Sequence, residues 1–133
     1  MEPMVNIALR AARKAGEMIA RASERSDLIK VDEKGRNDFV TDVDLAAEKE
    51  VIYHLRKAFP EHTIIGEESG VLKGKDDDYQ WIIDPIDGTT NFIHGIPHFA
   101  VSIGCRYKGK LEHAVVLDPM RLEEFTASRG RGA

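Results

Sequence analysis

The first part of the chain repeats small apolar residues at a helical spacing. From Pro3 to about Ser26, apolar positions recur every three or four residues, the period of one helix face. This stripe consists of Met4, Ala8, Ala11, Ala15, Met18 and Ala22. Because most of these side chains are small, the pattern predicts a helix that packs closely against its neighbour.

A second helix is predicted to begin near Thr41 and to end before Pro60. Thr41 with Asp44 three residues later resembles a capping box, and the residue before a proline disfavours helical backbone. The spacing assigns its buried face to Leu45, Ile52, Leu55 and Phe59. Residues 27–40, between the two helices, break the helical period and are predicted to form a loop or an irregular hairpin.

The remaining chain alternates short apolar runs with turn residues, which is typical of strands. The predicted strands are residues 63–65, 81–83, 99–105, 111–117 and 123–128. Residues 70–79 are rich in glycine and charge, so we expect a solvated, mobile loop whose acidic triplet 76–78 is a solvated face. The order predicts an α+β fold, with two amino-terminal helices packed on a largely antiparallel sheet of about five to six strands.

Composition narrows the class of protein. The 133 residues suit one domain, and 19 Lys and Arg against 23 Asp and Glu give a net charge of −4 without a basic block. This balance disfavours direct nucleic-acid binding. Cys105 is the only cysteine. Since no apolar run suits a signal peptide or a membrane span, we expect a cytoplasmic protein and no membrane contact.

The most informative stretch is the run from Trp81 to Phe92, where a predicted strand leads into carboxylates. Asp84 and Asp87 flank Pro85, which is expected to turn the backbone sharply so that the two carboxylates converge near the Ile86 carbonyl. Such hard oxygen ligands suit Mg²⁺. Asp-Pro and Asp-Gly are also ordinary turn dipeptides, so this spacing by itself leaves a purely structural role open.

A second pair of carboxylates, Glu67 and Glu68, follows the predicted strand 63–65. If the two strands are neighbours, three or four carboxylates share one pocket and repel each other unless cations are present. After the second strand, the backbone amides of residues 88–90 are suited to face an anion.

Gly66-Glu67-Glu68-Ser69 and the run from Trp81 to Phe92 closely resemble the two metal motifs of the inositol monophosphatase family, and the similarity covers all 133 positions. The resemblance implies the amino-terminal half of a layered αβαβα sugar-phosphatase fold. It also implies Mg²⁺-dependent hydrolysis of a small phosphorylated polyol, most simply inositol 1-phosphate, by metal-activated water.

The same resemblance implies roles for individual residues. The implied metal ligands are Glu67, Asp84, the Ile86 carbonyl and Asp87. The implied catalytic residues are Thr89, Asp44, Glu68 and Lys34, and the implied substrate-binding residues are Glu67, Ile86, Asp87, Gly88 and Thr89. From the residues themselves, Asp44 could equally be a helix cap and Lys34 a solvated loop residue.

The carboxyl-terminal residues 129–133 resemble a turn that no strand follows, so we expect 1–133 to be the amino-terminal portion of a longer fold. Full-length relatives complete the metal site with an aspartate from their second half. We therefore expect the isolated chain to bind Mg²⁺ weakly and to turn over slowly or not at all.

Three further expectations come from the resemblance. Family members are commonly lithium-sensitive homodimers, and those of the bacterial branch that the first residues resemble also act with protein partners in transcription antitermination and ribosomal RNA maturation. A regulatory binding protein is therefore one alternative function. A nucleotide or sugar bisphosphatase is another, because Asp-Pro-x-Asp-Gly recurs in that superfamily.

Overall fold

The computed structural model describes the backbone of residues 3–23, 31–35, 38–87 and 100–130, and the side chains of residues 3–22, 42–84 and 100–130. The described elements are, in chain order, α1 (Pro3–Ser23), β1 (Val31–Gly35), β2 (Asp38–Thr41), α2 (Asp42–Ala58), β3 (His62–Gly66), β4 (Gly70–Leu72), β5 (Asp76–Asp87), β6 (Ala100–Tyr107), β7 (Lys110–Asp118) and β8 (Glu123–Ser128).

Six of these strands form one mixed sheet. Its order is β4-β3-β5-β6-β7-β8, in which β3 and β5 are parallel and the other neighbours are antiparallel. The two helices pack against each other and against this sheet. The predicted α+β fold, with two helices on a largely antiparallel sheet, is confirmed.

Small residues bring α1 close to the sheet. Ala8, Ala11 and Ala15 of the predicted stripe are buried. A Cβ atom at Gly16 would lie 2.6 Å from Leu117 Cδ2 on β7, so the absence of a side chain there permits the contact.

Neither helix in the described residues has the combination of length and apolarity needed to cross a lipid bilayer.

The predicted buried face of α2 needs a correction. Leu45 is 42% exposed, whereas Asp44 and Glu48 are 4% and 0% exposed. The buried set of this helix is Asp44, Ala47, Glu48, Val51, Ile52 and Leu55. The helix is therefore rotated so that two acidic side chains face the protein interior, which hydrophobic spacing does not predict.

The prediction that residues 70–79 form a solvated, mobile loop is wrong. Residues 70–72 form β4, and β5 already begins at Asp76. Buried Thr63 of β3 holds the segment between β4 and β5 and the start of β5 in place. Its Oγ donates to Asp77 Oδ1 at 2.8 Å and accepts from the Gly74 amide at 3.0 Å. Asp77 remains exposed, in agreement with a solvated acidic face.

The described part of residues 27–40 forms the irregular hairpin that the sequence offered as one alternative. Strands β1 and β2 pair antiparallel as a separate two-stranded sheet. Between the pairs Glu33↔Phe39 and Gly35↔Asp38, β1 advances two residues and β2 only one. Lys34 is therefore the extra residue of a bulge in this hairpin.

Candidate metal site

The two strands that carry the predicted metal motifs are direct neighbours. In the parallel pair of β3 and β5, Gly66 is the register partner of Ile83. Glu67 and Asp84 each follow by one residue, so both are placed at the same edge of the sheet. The predicted shared pocket required the two strands to be neighbours, and they are. In open sheets with parallel strands, ligands bind at the carboxyl ends of the strands.

Strand β5 contains a bulge between the two aspartates. Asp84 pairs with Ser102 and Asp87 with Ala100, so three steps along β5 correspond to two along β6. The expectation that Pro85 turns the chain sharply is therefore wrong, because β5 continues through the proline to Asp87. The extra residue brings backbone positions 84 and 87 into the same phase of the pleat, and proline is tolerated at such bulges.

The connection from β3 to β4 is a tight turn, which we call the carboxylate turn (residues 67–69). The ladder closes with the pair Gly66↔Gly70, and Gly70 has a φ of 74°, a value that favours glycine. Glu67 is exposed and Glu68 is half-buried. The turn therefore presents one carboxylate to solvent at the edge where β5 carries Asp84.

Glu48 of α2 is hydrogen-bonded to this turn. Its carboxylate accepts hydrogen bonds from the Glu68 amide at 3.2 Å and from the Ser69 amide and hydroxyl, both at 2.6 Å. Glu48 was not among the site residues predicted from the sequence. The available signal was its position four residues after Asp44, which places both acids on one helix face beside the apolar Ala47 and Val51.

Asp44 lies in the first turn of α2 and is 4% exposed. An acidic residue at this end of a helix interacts favourably with the helix dipole. Its predicted role as an orienting carboxylate stays a prediction, as does its alternative role as a cap.

Among the side chains that the structure describes, no three from His, Cys, Asp and Glu lie close enough together to hold a metal ion. Of the predicted site, the structure places the side chains of Glu67, Glu68, Asp84 and Asp44. Gly88 and Thr89 lie outside the described residues, as do the side chains of Lys34, Ile86 and Asp87. The complete ligand set therefore stays a prediction. The donor chemistry at this edge, carboxylate oxygen from two neighbouring strands, fits a hard divalent cation.

The opposite end of the same two strands carries aromatic side chains. His62 stacks between Phe59 and Tyr79, with ring centroids 4.9 and 4.6 Å away, and His62 Nδ1 accepts from Trp81 Nε1 at 3.0 Å. Burial lowers the pKa of His62, against a smaller opposing effect of Asp76. The His62 ring is therefore engaged in packing beside Trp81, which is 1% exposed.

The sequence of all 133 residues matches the model of the inositol monophosphatase family. The chain belongs to this family. It is 67% identical to the Nus factor SuhB of Pseudomonas aeruginosa and 62% identical to that of Escherichia coli, in both cases over its whole length. The chain spans about half the length of these curated relatives, 50% of each.

Solved structures show the same fold. The extragenic suppressor protein suhB of Bartonella henselae matches with a TM-score of 0.95 and 41% identity, over 97% of this chain and 50% of that one. The Thermotoga maritima IMPase matches with a TM-score of 0.87 and 34% identity, over 97% and 49%. A protein described as inositol monophosphatase-fructose 1,6 bisphosphatase matches with a TM-score of 0.86 and 27% identity, over 100% and 52%. The resemblance to this family, and to the amino-terminal half of its fold, is confirmed.

Proposed function

We propose that this chain provides the metal-binding part of a Mg²⁺-dependent phosphatase that hydrolyses a small phosphorylated polyol, with inositol 1-phosphate as the expected substrate. The observation that carries the proposal is the parallel register of β3 and β5, which brings Glu67 and Asp84 to one edge of the sheet. Membership of the inositol monophosphatase family supports the same chemistry.

In this proposal, four groups hold the metal: the carboxylates of Glu67, Asp84 and Asp87 and the Ile86 carbonyl. When bound, Mg²⁺ neutralises charge on phosphoryl oxygens and lowers the pKa of a coordinated water. Carboxylates from two strands at one edge repel each other without a cation, so metal affinity is the property that this arrangement favours.

The other residues act on water and phosphate. Glu68 and the Thr89 hydroxyl orient the attacking water, with Asp44 behind Thr89. The amides of Gly88 and Thr89 hold the phosphate, and Lys34 closes near the metals from its hairpin. Phosphoryl transfer depends on such positioning and charge compensation more than on a protein nucleophile.

The test is phosphate release from inositol 1-phosphate with and without Mg²⁺. Because the chain spans about half the length of its curated relatives, it is measured both as it stands and joined to the second half of the P. aeruginosa relative. We expect slow or no release from the chain as it stands. The joined protein should release phosphate only with Mg²⁺ and lose this activity in Asp87→Asn.

Release by the joined protein without Mg²⁺ would contradict the metal role. Rapid release by the 133-residue chain itself would show that the half-site is sufficient, against our expectation. Comparing inositol 1-phosphate with an adenosine bisphosphate separates the proposed monophosphatase from the bisphosphatase alternative.

A second candidate function is a regulatory role in transcription antitermination, because relatives 67% and 62% identical are named Nus factor SuhB. The net charge of −4 favours protein partners over direct RNA binding. In an antitermination reporter assay, Asp87→Asn should keep this role while abolishing phosphatase activity. Loss of both would tie regulation to the metal site.

Three further properties complete the proposal: a cytoplasmic location, a homodimeric state and inhibition by lithium. Sedimentation of the chain as it stands and of the joined protein tests the dimer. Titration of the phosphatase assay with LiCl tests the inhibition.

A further inference from the structure

Glu48 is a charged side chain in an unexpected environment. It lies on the buried face of α2 with an exposed fraction of 0%. Removing a carboxylate from water is strongly unfavourable unless hydrogen bonds replace its hydration. Its partners therefore explain why an acid is retained at this position.

Within the described residues, the Glu48 carboxylate bonds to the carboxylate turn. Oε1 accepts from the Glu68 amide, and Oε2 accepts from the Ser69 amide and hydroxyl. The β3–β4 ladder closes at Gly66↔Gly70, so these two amides lie beyond its last pair. The Glu48 carboxylate thus accepts hydrogen bonds from two backbone amides that have no place in the β3–β4 ladder.

The same carboxylate lies against the backbone on the other side of Glu67. A Cβ atom at position 66 would be 2.7 Å from Glu48 Cδ and 2.8 Å from Oε2, which real contacts do not allow. Gly66 is therefore required for this approach. Glu67 stands between two residues, Gly66 and Glu68, that Glu48 contacts directly.

We propose that Glu48 is a positioning residue that fixes the backbone on both sides of Glu67 and thereby sets the affinity of the site for a divalent cation. The inference rests on the proposed function, in which Glu67 is a metal ligand. Glu48 acts through the turn and not as a ligand. Helix α2 then supports the site twice, through Glu48 and through Asp44 one turn earlier.

The test measures Mn²⁺ binding, as a paramagnetic substitute for Mg²⁺, by electron paramagnetic resonance. Glu48→Gln keeps the shape of the side chain but removes its charge and points an NH₂ group toward the turn donors. We expect the Kd for Mn²⁺ to rise about 10- to 100-fold, as for other groups that orient metal ligands. Glu50→Gln is the matched control, because Glu50 lies on the same helix but pairs with His54 at 3.0 Å.

A second measurement reports on the turn itself. In Glu48→Gln, the amides of Glu68 and Ser69 should exchange with solvent faster than in the unchanged chain, whereas the β3 amide of Ile65 should not. Ser69→Ala removes only the hydroxyl contact from an exposed position, so it keeps the test valid if Glu48→Gln does not fold. For this variant we expect the Kd to rise about threefold.

The outcomes separate this inference from the proposed function. If the unchanged chain binds Mn²⁺ and both variants bind it equally well, the positioning role is wrong and the metal site stands. If binding weakens while the exchange of the two amides is unchanged, the effect does not pass through the turn and the inference is again wrong. If neither the unchanged chain nor the protein joined to the second half of the P. aeruginosa relative binds Mn²⁺, the proposed metal site fails and the inference fails with it.

Discussion

The two ends of the parallel strands β3 and β5 differ in what their polar groups do. At the amino end of β3, His62 accepts a hydrogen bond at 3.0 Å from Trp81 of β5 inside a stack of aromatic rings. At the carboxyl ends, Glu67 is exposed and Asp84 is half-buried on the adjacent strand. The same pair of strands thus carries a closed aromatic cluster at one end and adjoining acidic positions at the other.

In the proposed function, this difference separates residues that stabilise the fold from residues that bind the metal. Aromatic packing and a satisfied hydrogen bond stabilise the folded chain. Acidic residues placed at one edge repel each other and lower stability unless a cation compensates them. The comparison predicts that changes at the acidic end alter binding, and that changes at the aromatic end alter unfolding.

The largest expected effect is the loss of metal binding in Asp84→Asn. In the joined protein, removing a proposed ligand should raise the Kd for Mg²⁺ more than about 100-fold, measured by isothermal titration calorimetry. Asp77→Asn is the matched control, because Asp77 lies near the other end of β5 and bonds to Thr63. An equal loss of affinity in both variants would remove the distinction between the two ends.

Trp81→Phe should lower the free energy of unfolding by about 2–3 kcal/mol, measured by urea denaturation. Trp81 is 1% exposed, and the change creates a cavity and removes the hydrogen bond to His62. The Mg²⁺ affinity should stay within about twofold, because the indole bonds to His62 in the aromatic cluster. Tyr53→Leu, at a residue 57% exposed, should change the unfolding free energy by less than about 0.5 kcal/mol.

Gly66→Ala tests the acidic end from the backbone side. The new methyl group meets the Glu48 carboxylate, so we expect a loss of about 1–3 kcal/mol of stability together with weaker Mn²⁺ binding. Gly104→Ala is the control, since its Cβ would meet only Leu111 Cδ1, at 3.4 Å. A neutral effect at position 66 would contradict the close approach of Glu48.

The smallest expected effect is a pH dependence at the aromatic end. Burial lowers the pKa of His62 in the folded chain. As the pH falls, the unfolded chain therefore binds more protons at this residue than the folded chain does. The stability that His62 contributes is therefore fully present above its ordinary pKa of 6.5 and is lost as the pH falls through the lower folded value. Thermal unfolding between pH 8 and pH 5 measures this loss.

His62→Gln should remove that part of the pH dependence, since glutamine can accept from Trp81 but does not titrate in this range. His54→Gln should leave it in place, because His54 bonds to Glu50 outside the aromatic cluster. The same pH slope in the unchanged chain and in His62→Gln would show that another group is responsible.

The sequence determined both helices, five of the six strands of the main sheet and the acidic positions that follow β3 and lie within β5. These features depend on residues close together along the chain: the spacing of alanines in α1, the proline that follows α2 and the apolar runs before Glu67 and Asp84. The family resemblance supplied roles that the spacing left open, such as that of Asp44.

Tertiary structure decided the parallel pairing of β3 with β5, the bulge at Pro85 in place of a sharp turn, and the existence of β4. It also decided that Leu45 is exposed while Glu48 is buried. Each depends on contacts between distant parts of the chain, such as that of Glu48 with Ser69, 21 residues later. Hydrophobic spacing predicts that an acidic residue such as Glu48 lies at the surface. Its burial becomes favourable because the amide and hydroxyl donors of a distant turn bond to its carboxylate.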